Sequence, residues 1–145
     1  MVSHRIYVLV TLVGLPPKEN EPDVSPGVTQ NCGLFVRTQP GHGWKHWIVF
    51  TTREHGWRLY STEIRLHGGF QFMRKVRVGT VKDGKLDDYL RMFDEMPIPD
   101  GDERWNSKLW INNVLEECQR RDFMKKIRNI SDILNDINRV GVEAT

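Results

Sequence analysis

The chain has 145 residues, 39% of them hydrophobic, which is enough for one sizeable core and too few for two ordinary domains. Its 21 basic and 19 acidic residues leave a formal net charge of +2, which excludes the strongly basic balance of a dedicated nucleic-acid binder. Cys32 and Cys118 form no spaced set with the histidines. Neither a zinc site nor a disulfide framework is expected, both cysteines are read as reduced bystanders, and no cofactor is implied.

In chain order, the apolar run Ile6 to Val13 predicts a strand over about residues 4–13, apolar on both faces and therefore interior to a sheet. It is too short to cross a membrane, which needs roughly twenty apolar residues. With no basic segment before it and no small-residue cleavage pattern behind it, it is also a poor signal peptide, so the expected location is the cytoplasm. Pro16 through Gly27 reads as an exposed loop, and Cys32 to Arg37 as a short strand. The turn Gln39-Pro40-Gly41-His42-Gly43 delivers the chain to His46, which opens a strand near 46–52. Strands near 57–64 and 70–78 follow, separated by turns at Glu54-His55-Gly56 and His67-Gly68-Gly69, and such a meander is antiparallel.

Asp83-Gly84 marks a turn before a helix carried by Leu86, Tyr89, Leu90 and Phe93, which Met96 to Asp102 ends. A second helix starts with Asn106 or Ser107 as N-cap and shows Leu109, Trp110, Val114, Leu115 and Cys118 at helical spacing. Finally, Phe123, Ile127, Ile130, Leu134 and Ile137 recur at four, three, four and three, which predicts one amphipathic helix from about Asp122 to Val140. It is expected to pack on the sheet or on the preceding helix; the sharper alternative is a lid or a homodimer seam, which makes a second copy of the chain a candidate partner. There are no repeats. The expectation is a single α+β domain over residues 1–145, with an antiparallel sheet of about four to five strands packed by C-terminal helices.

Two places could carry chemistry. His46 precedes a buried-looking strand that would hold its ring, whereas His42, His55 and His67 sit beside glycine in predicted turns and His4 is near the end of the chain. Ser107 lies at a helix start, where outward-pointing N–H groups favour an oxyanion; a serine there is ordinarily a cap, and a hydroxyl needs a well-oriented base to act as nucleophile. Trp44, Trp47, Trp57, Trp105 and Trp110 surround these two places and are candidates to line an apolar substrate pocket, with core filling as the plainer role. Basic residues gather at Arg74-Lys75-Val76-Arg77 and at Arg120-Arg121 with Lys125-Lys126, but acidic residues intersperse them along the chain, so nucleic acid is not an expected partner.

His46-Trp47 and Asn106-Ser107-Lys108-Leu109-Trp110-Ile111-Asn112-Asn113-Val114-Leu115 together resemble the two signature blocks of circularly permuted papain-like proteins. That superfamily includes NlpC-type peptidases and the lecithin:retinol acyltransferase group, and small fungal proteins carry similar blocks. Their first block reads His-Trp followed by alternating apolar residues, and their second reads Asn-Cys-x-x-Phe/Trp-Val. The resemblance extends over residues 44–118 and implies a permuted papain-like fold, with His46 as general base and Ser107 at the position of the nucleophilic cysteine. Counting from Gly56, it implies Tyr60 as the third polar group, where relatives often have histidine.

The serine is a departure from the pattern, either a natural serine variant or a Cys-to-Ser replacement that removes the thiol. The implied activity is acyl transfer to or from a small apolar or peptide-like acyl substrate, ending in hydrolysis, transfer or cyclisation, and impaired by the serine. Two alternatives stand beside it. One is a non-catalytic module binding a small ligand or a protein on the same scaffold; the other is a cofactor-free acid–base cyclase using His46 and Tyr60.

Overall fold

The structure is a computed structural model that describes residues 4–14, 28–52, 56–65, 74–98 and 106–143. The expected loop over 16–27, the turns at 54–55 and 67–69, the first residues of the 70–78 strand, and Trp105 lie outside the described residues.

The chain forms six antiparallel strands: β1 (His4–Gly14), β2 (Val28–Gln39), β3 (His42–Thr52), β4 (Gly56–Arg65), β5 (Arg74–Val81) and β6 (Met124–Ile127). They form one sheet in the order β4-β3-β2-β1-β5-β6, so the first four are a meander and β5 returns to the free side of β1. Three helices complete the described residues: α1 (Leu86–Glu95), α2 (Asn106–Arg120) and α3 (Ile130–Glu143). The α+β class and the antiparallel sheet agree with expectation, while the sheet holds one strand more than the four to five expected. The interior position of β1, between β2 and β5, also agrees.

All three helices cover one face of the sheet. Ile6, Val8, Cys32, Leu34, Val36, Ile48 and Val76 project from that face into one core with Tyr89, Met92 and Phe93 of α1, Trp110, Ile111, Val114, Leu115 and Cys118 of α2, and Ile133 and Ile137 of α3. Burying a side chain of this size contributes roughly 1.5–3 kcal/mol, so the helix layer and the sheet stabilise one another. Burial also pushes the Cys32 thiol up to about 11 and Cys118 up to about 12, keeping both as inert thiols.

The expected helix over 122–140 is two elements. Asp122 adopts a left-handed backbone, φ 58°, which ends the turn after α2. The chain then enters β6, which pairs with β5 through Gly79↔Ile127 and Thr80↔Lys126. A Cβ at Gly79 would collide with the Lys126 carbonyl, so this pairing depends on the glycine. Phe123 and Ile127 therefore belong to a strand and its approach, and only Ile130, Leu134 and Ile137 continue into the helix, joined by Ile133. Because Ile133 and Ile137 are fully buried within the chain, the stripe is used in its own core and is not available as a dimer seam.

His46 also moves relative to expectation. The hairpin turns at Pro40 and Gly41, φ 75°, and β3 starts at His42, which leaves His46 in mid-strand. Gly43 makes this possible: a Cβ there would meet the Val36 carbonyl and the Phe35 ring.

Candidate functional site

β3 lies between β2 and β4, and register places Leu34 and Ser61 on either side of His46. Directly opposed residues in an antiparallel pair share a face, so His46 and Ser61 both point to the helix-bearing side. The imidazole is 4% exposed and lies flat on the Phe93 ring of α1, centroids 3.9 Å apart and planes 8° apart. Phe93 in turn meets Trp110 of α2 at 5.9 Å and Tyr89 edge-on at 5.1 Å. His46 is thus held by an aromatic stack. Its Nδ1 is buried and has no hydrogen-bond partner, and desolvation lowers its pKa to about 4. At neutral pH the ring is uncharged, with one nitrogen able to accept a proton and the other carrying one.

Beside the ring a pocket of about 180 Å³ opens to solvent. Trp44, Leu59 and Leu90 give it apolar walls, while His46, Ser61 and Asp94 supply polar groups. This is smaller than a drug-sized site and suits a compact group. Among the described residues no cluster of histidine, cysteine, aspartate and glutamate is arranged to hold a metal.

Ser107 is the second residue of α2, which begins at Asn106, so it lies within the first turn of the helix. Ser107 opens the buried stripe continued by Trp110, Ile111, Val114, Leu115 and Cys118, and it is 5% exposed. Lys108, in the same turn, acts electrostatically on Cys32, which is one same-face step along β2 from the partner of His46. The first turn of α2 and His46 therefore lie on the same side of the sheet. Among the described residues no hydrogen bond joins His46 to Ser107, and Ser107 does not line the pocket.

Tyr60 needs correction. It pairs with Trp47, one residue out of phase with His46, so it emerges on the opposite face. There it is 43% exposed and stacks on Trp47 at 5.7 Å. A one-residue step along a strand reverses the face, so Tyr60 cannot orient the imidazole, and an acid–base pair of His46 and Tyr60 has no shared pocket. Ser61 holds the position facing His46. Parity counted from a paired His46 would have found it; counting from Gly56 did not.

The tryptophans divide in the same way. Trp44 lines the pocket, Trp57 packs partly buried against the core, and Trp110 is fully buried in it. Trp47 belongs to the other face, with Lys45 Nζ 4.5 Å from its ring centroid. Phe93, whose ring fixes His46, was visible in the sequence only as one apolar position of α1.

Comparison of the chain with protein-family models, with curated proteins and with solved structures yields no match.

Proposed function

We propose that the chain is an acyl-transfer scaffold of the permuted papain-like kind, with His46 as base and residue 107 as the nucleophile position, impaired by the serine. The observation that carries this reading is the burial of His46 and Ser107 on the same side of the sheet, one in mid-strand and the other in the first turn of a helix. In the reaction, His46 takes the proton from residue 107 as its Oγ, or Sγ in a cysteine variant, bonds to an ester, thioester or amide carbonyl carbon. Backbone N–H groups in the first turn of α2 hold the oxyanion, and the proton passes from His46 to the leaving group as the acyl bond breaks. Water or an amine then takes the acyl group. The walls formed by Trp44, Leu59 and Leu90 suit a compact apolar acyl group.

The serine and the depressed basicity of His46 both predict slow turnover. The test is intact mass of Ser107→Cys after iodoacetamide at neutral pH, with Ser107→Cys/His46→Ala as the paired control. Rapid single labelling at residue 107 that falls in the control is expected; slow labelling indifferent to His46 would overturn the dyad. A binding module on the same scaffold is the second reading, supported by the lack of a His46–Ser107 hydrogen bond and by the unpartnered Nδ1 beside the pocket. It predicts unchanged ligand binding in Ser107→Ala.

A further inference from the structure

The pocket beside His46 joins uncharged walls to an acidic rim. Its walls are the imidazole stacked on Phe93, the Trp44 ring tilted at 6.5 Å from it, Leu59 and Leu90. Leu90 and Asp94 are four residues apart on α1, so their side chains come to the same side of that helix, and Asp94 is exposed where it borders the pocket. On β4, Ser61 stands opposite His46 and Glu63 opposite Trp44, and directly opposed residues share a face. Glu63 therefore lies about 7 Å along β4 from Ser61, on the pocket's side of the sheet.

Both carboxylates are open to a ligand. Among the described residues no ion pair or side-chain hydrogen bond engages Asp94 or Glu63, and the Ser61 hydroxyl makes no hydrogen bond. No lysine or arginine lines the pocket. The cations closest along the chain to Asp94, Arg91 and Lys85, both meet Asp88. The next same-face residue of β4 is Arg65, about 14 Å from Ser61, where it lines a separate cavity with His42 and Glu63. The imidazole adds no positive charge at neutral pH, and its enclosed Nδ1 has no partner.

We propose that this pocket binds a compact organic cation, a protonated short alkylamine, with its chain against Trp44, Leu59 and Leu90 and its ammonium head at Asp94 and Glu63. The apolar walls alone set the size of a ligand and leave its charge open; the two carboxylates select the charge. A carboxylate ligand is repelled by them, and a neutral ligand of equal size gains nothing from them. Trp44 adds a π face that favours a cation further. The cavity of about 180 Å³ equals about six waters at roughly 30 Å³ each, the scale of a short alkylamine. Binding here requires nothing of residue 107, so the site is separate from the acyl-transfer reading.

The test is NMR titration of the isotope-labelled full chain with n-butylammonium chloride, 1-butanol and sodium butyrate, which share a chain length and differ in charge. The signal followed is the Trp44 indole N–H. A saturable shift is expected with butylammonium at lower concentration than with butanol, and no saturable shift with butyrate. Asp94→Asn should weaken butylammonium binding about threefold to tenfold and leave butanol binding unchanged. Asp94→Asn/Glu63→Gln should remove the preference for the cation altogether, with signals away from the pocket showing that each variant is folded. Absence of a saturable shift with butylammonium overturns the proposal. So does butanol binding as tightly as butylammonium, or a cation preference that survives the double substitution. Iodoacetamide labelling of Ser107→Cys is unaffected by any of these outcomes, so failure of this site is distinguishable from failure of the dyad.

Discussion

His46 is a histidine in an environment built to keep it neutral. Its ring is stacked on Phe93 and its Nδ1 is enclosed without a partner, so the charged form loses hydration and gains nothing in return. The folded-state pKa of about 4 lies below the ordinary 6.5, so between these values the unfolded chain binds more protons than the folded one. Stability contributed by neutral His46 is therefore fully present above pH 6.5 and is lost as pH falls toward 4, a span of about 3 kcal/mol. Urea unfolding of the parent chain and of His46→Gln between pH 7.5 and 4 should show this as a difference: the variant loses less stability on acidification. Parallel pH profiles for the two proteins would mean that the imidazole is solvated. The same desolvation bears on chemistry, since a base of low pKa is unprotonated at neutral pH but accepts a proton weakly.

At the scale of elements, α3 depends on a cap. The side-chain oxygen of Asn129 accepts a hydrogen bond from the Ser131 N–H at 2.9 Å, and Asn129 is the residue before the helix begins. Asn129→Ala should cost about 1 kcal/mol in urea unfolding without changing the slope, and Asn129→Asp should cost much less. An unaffected Asn129→Ala variant would argue that tertiary packing alone sets the start of α3. This cap was hidden in the sequence by coincidence: Phe123 and Ile127 prolong the spacing of Ile130, Leu134 and Ile137 backwards, so the periodicity ran through a strand and a cap as if they were helix. The β3–β4 pair and α1 were legible because local signals agree there, with neighbouring strands, the Asp83-Gly84 turn, and apolar positions three and four apart; the expected continuation of the meander into the 70–78 strand was not, because β5 pairs with β1 across the sheet instead of with β4. His46 stood out because it directly precedes a buried-looking apolar run, unlike the histidines beside glycine in turns. Its neighbours were not legible. Whether Tyr60 or Ser61 faces it depends on a cross-strand register, and the meeting of Phe93 with its ring depends on how α1 crosses the sheet; both are long-range outcomes that spacing along the chain does not encode.

For the molecule as a whole, the sheet order divides protection unevenly between its middle and its edges. β1 and β2 have partners on both sides and bury Val8, Leu9, Val10, Leu34, Phe35 and Val36 almost completely, so opening them requires the core to come apart. Among the described residues β4 pairs with β3 alone and exposes Tyr60, Ser61, Thr62 and Glu63 in succession, and β6, four residues long, pairs with β5 alone. The pocket beside His46 takes Leu59 and Ser61 from β4, while the groups that hold the imidazole come from the protected centre and from α1. A rigid middle with a yielding edge would let a ligand in the pocket adjust Ser61 without disturbing the imidazole stack. Hydrogen exchange read by mass spectrometry should find β1 and β2 amides exchanging only through global unfolding, with rates that follow the denaturant dependence of overall stability. β4 and β6 should exchange at least about tenfold faster through local opening, nearly independent of low denaturant. If β4 exchanged as slowly as β1, its edge would be fixed as firmly as the core, and ligand adjustment there would have to come from side chains alone.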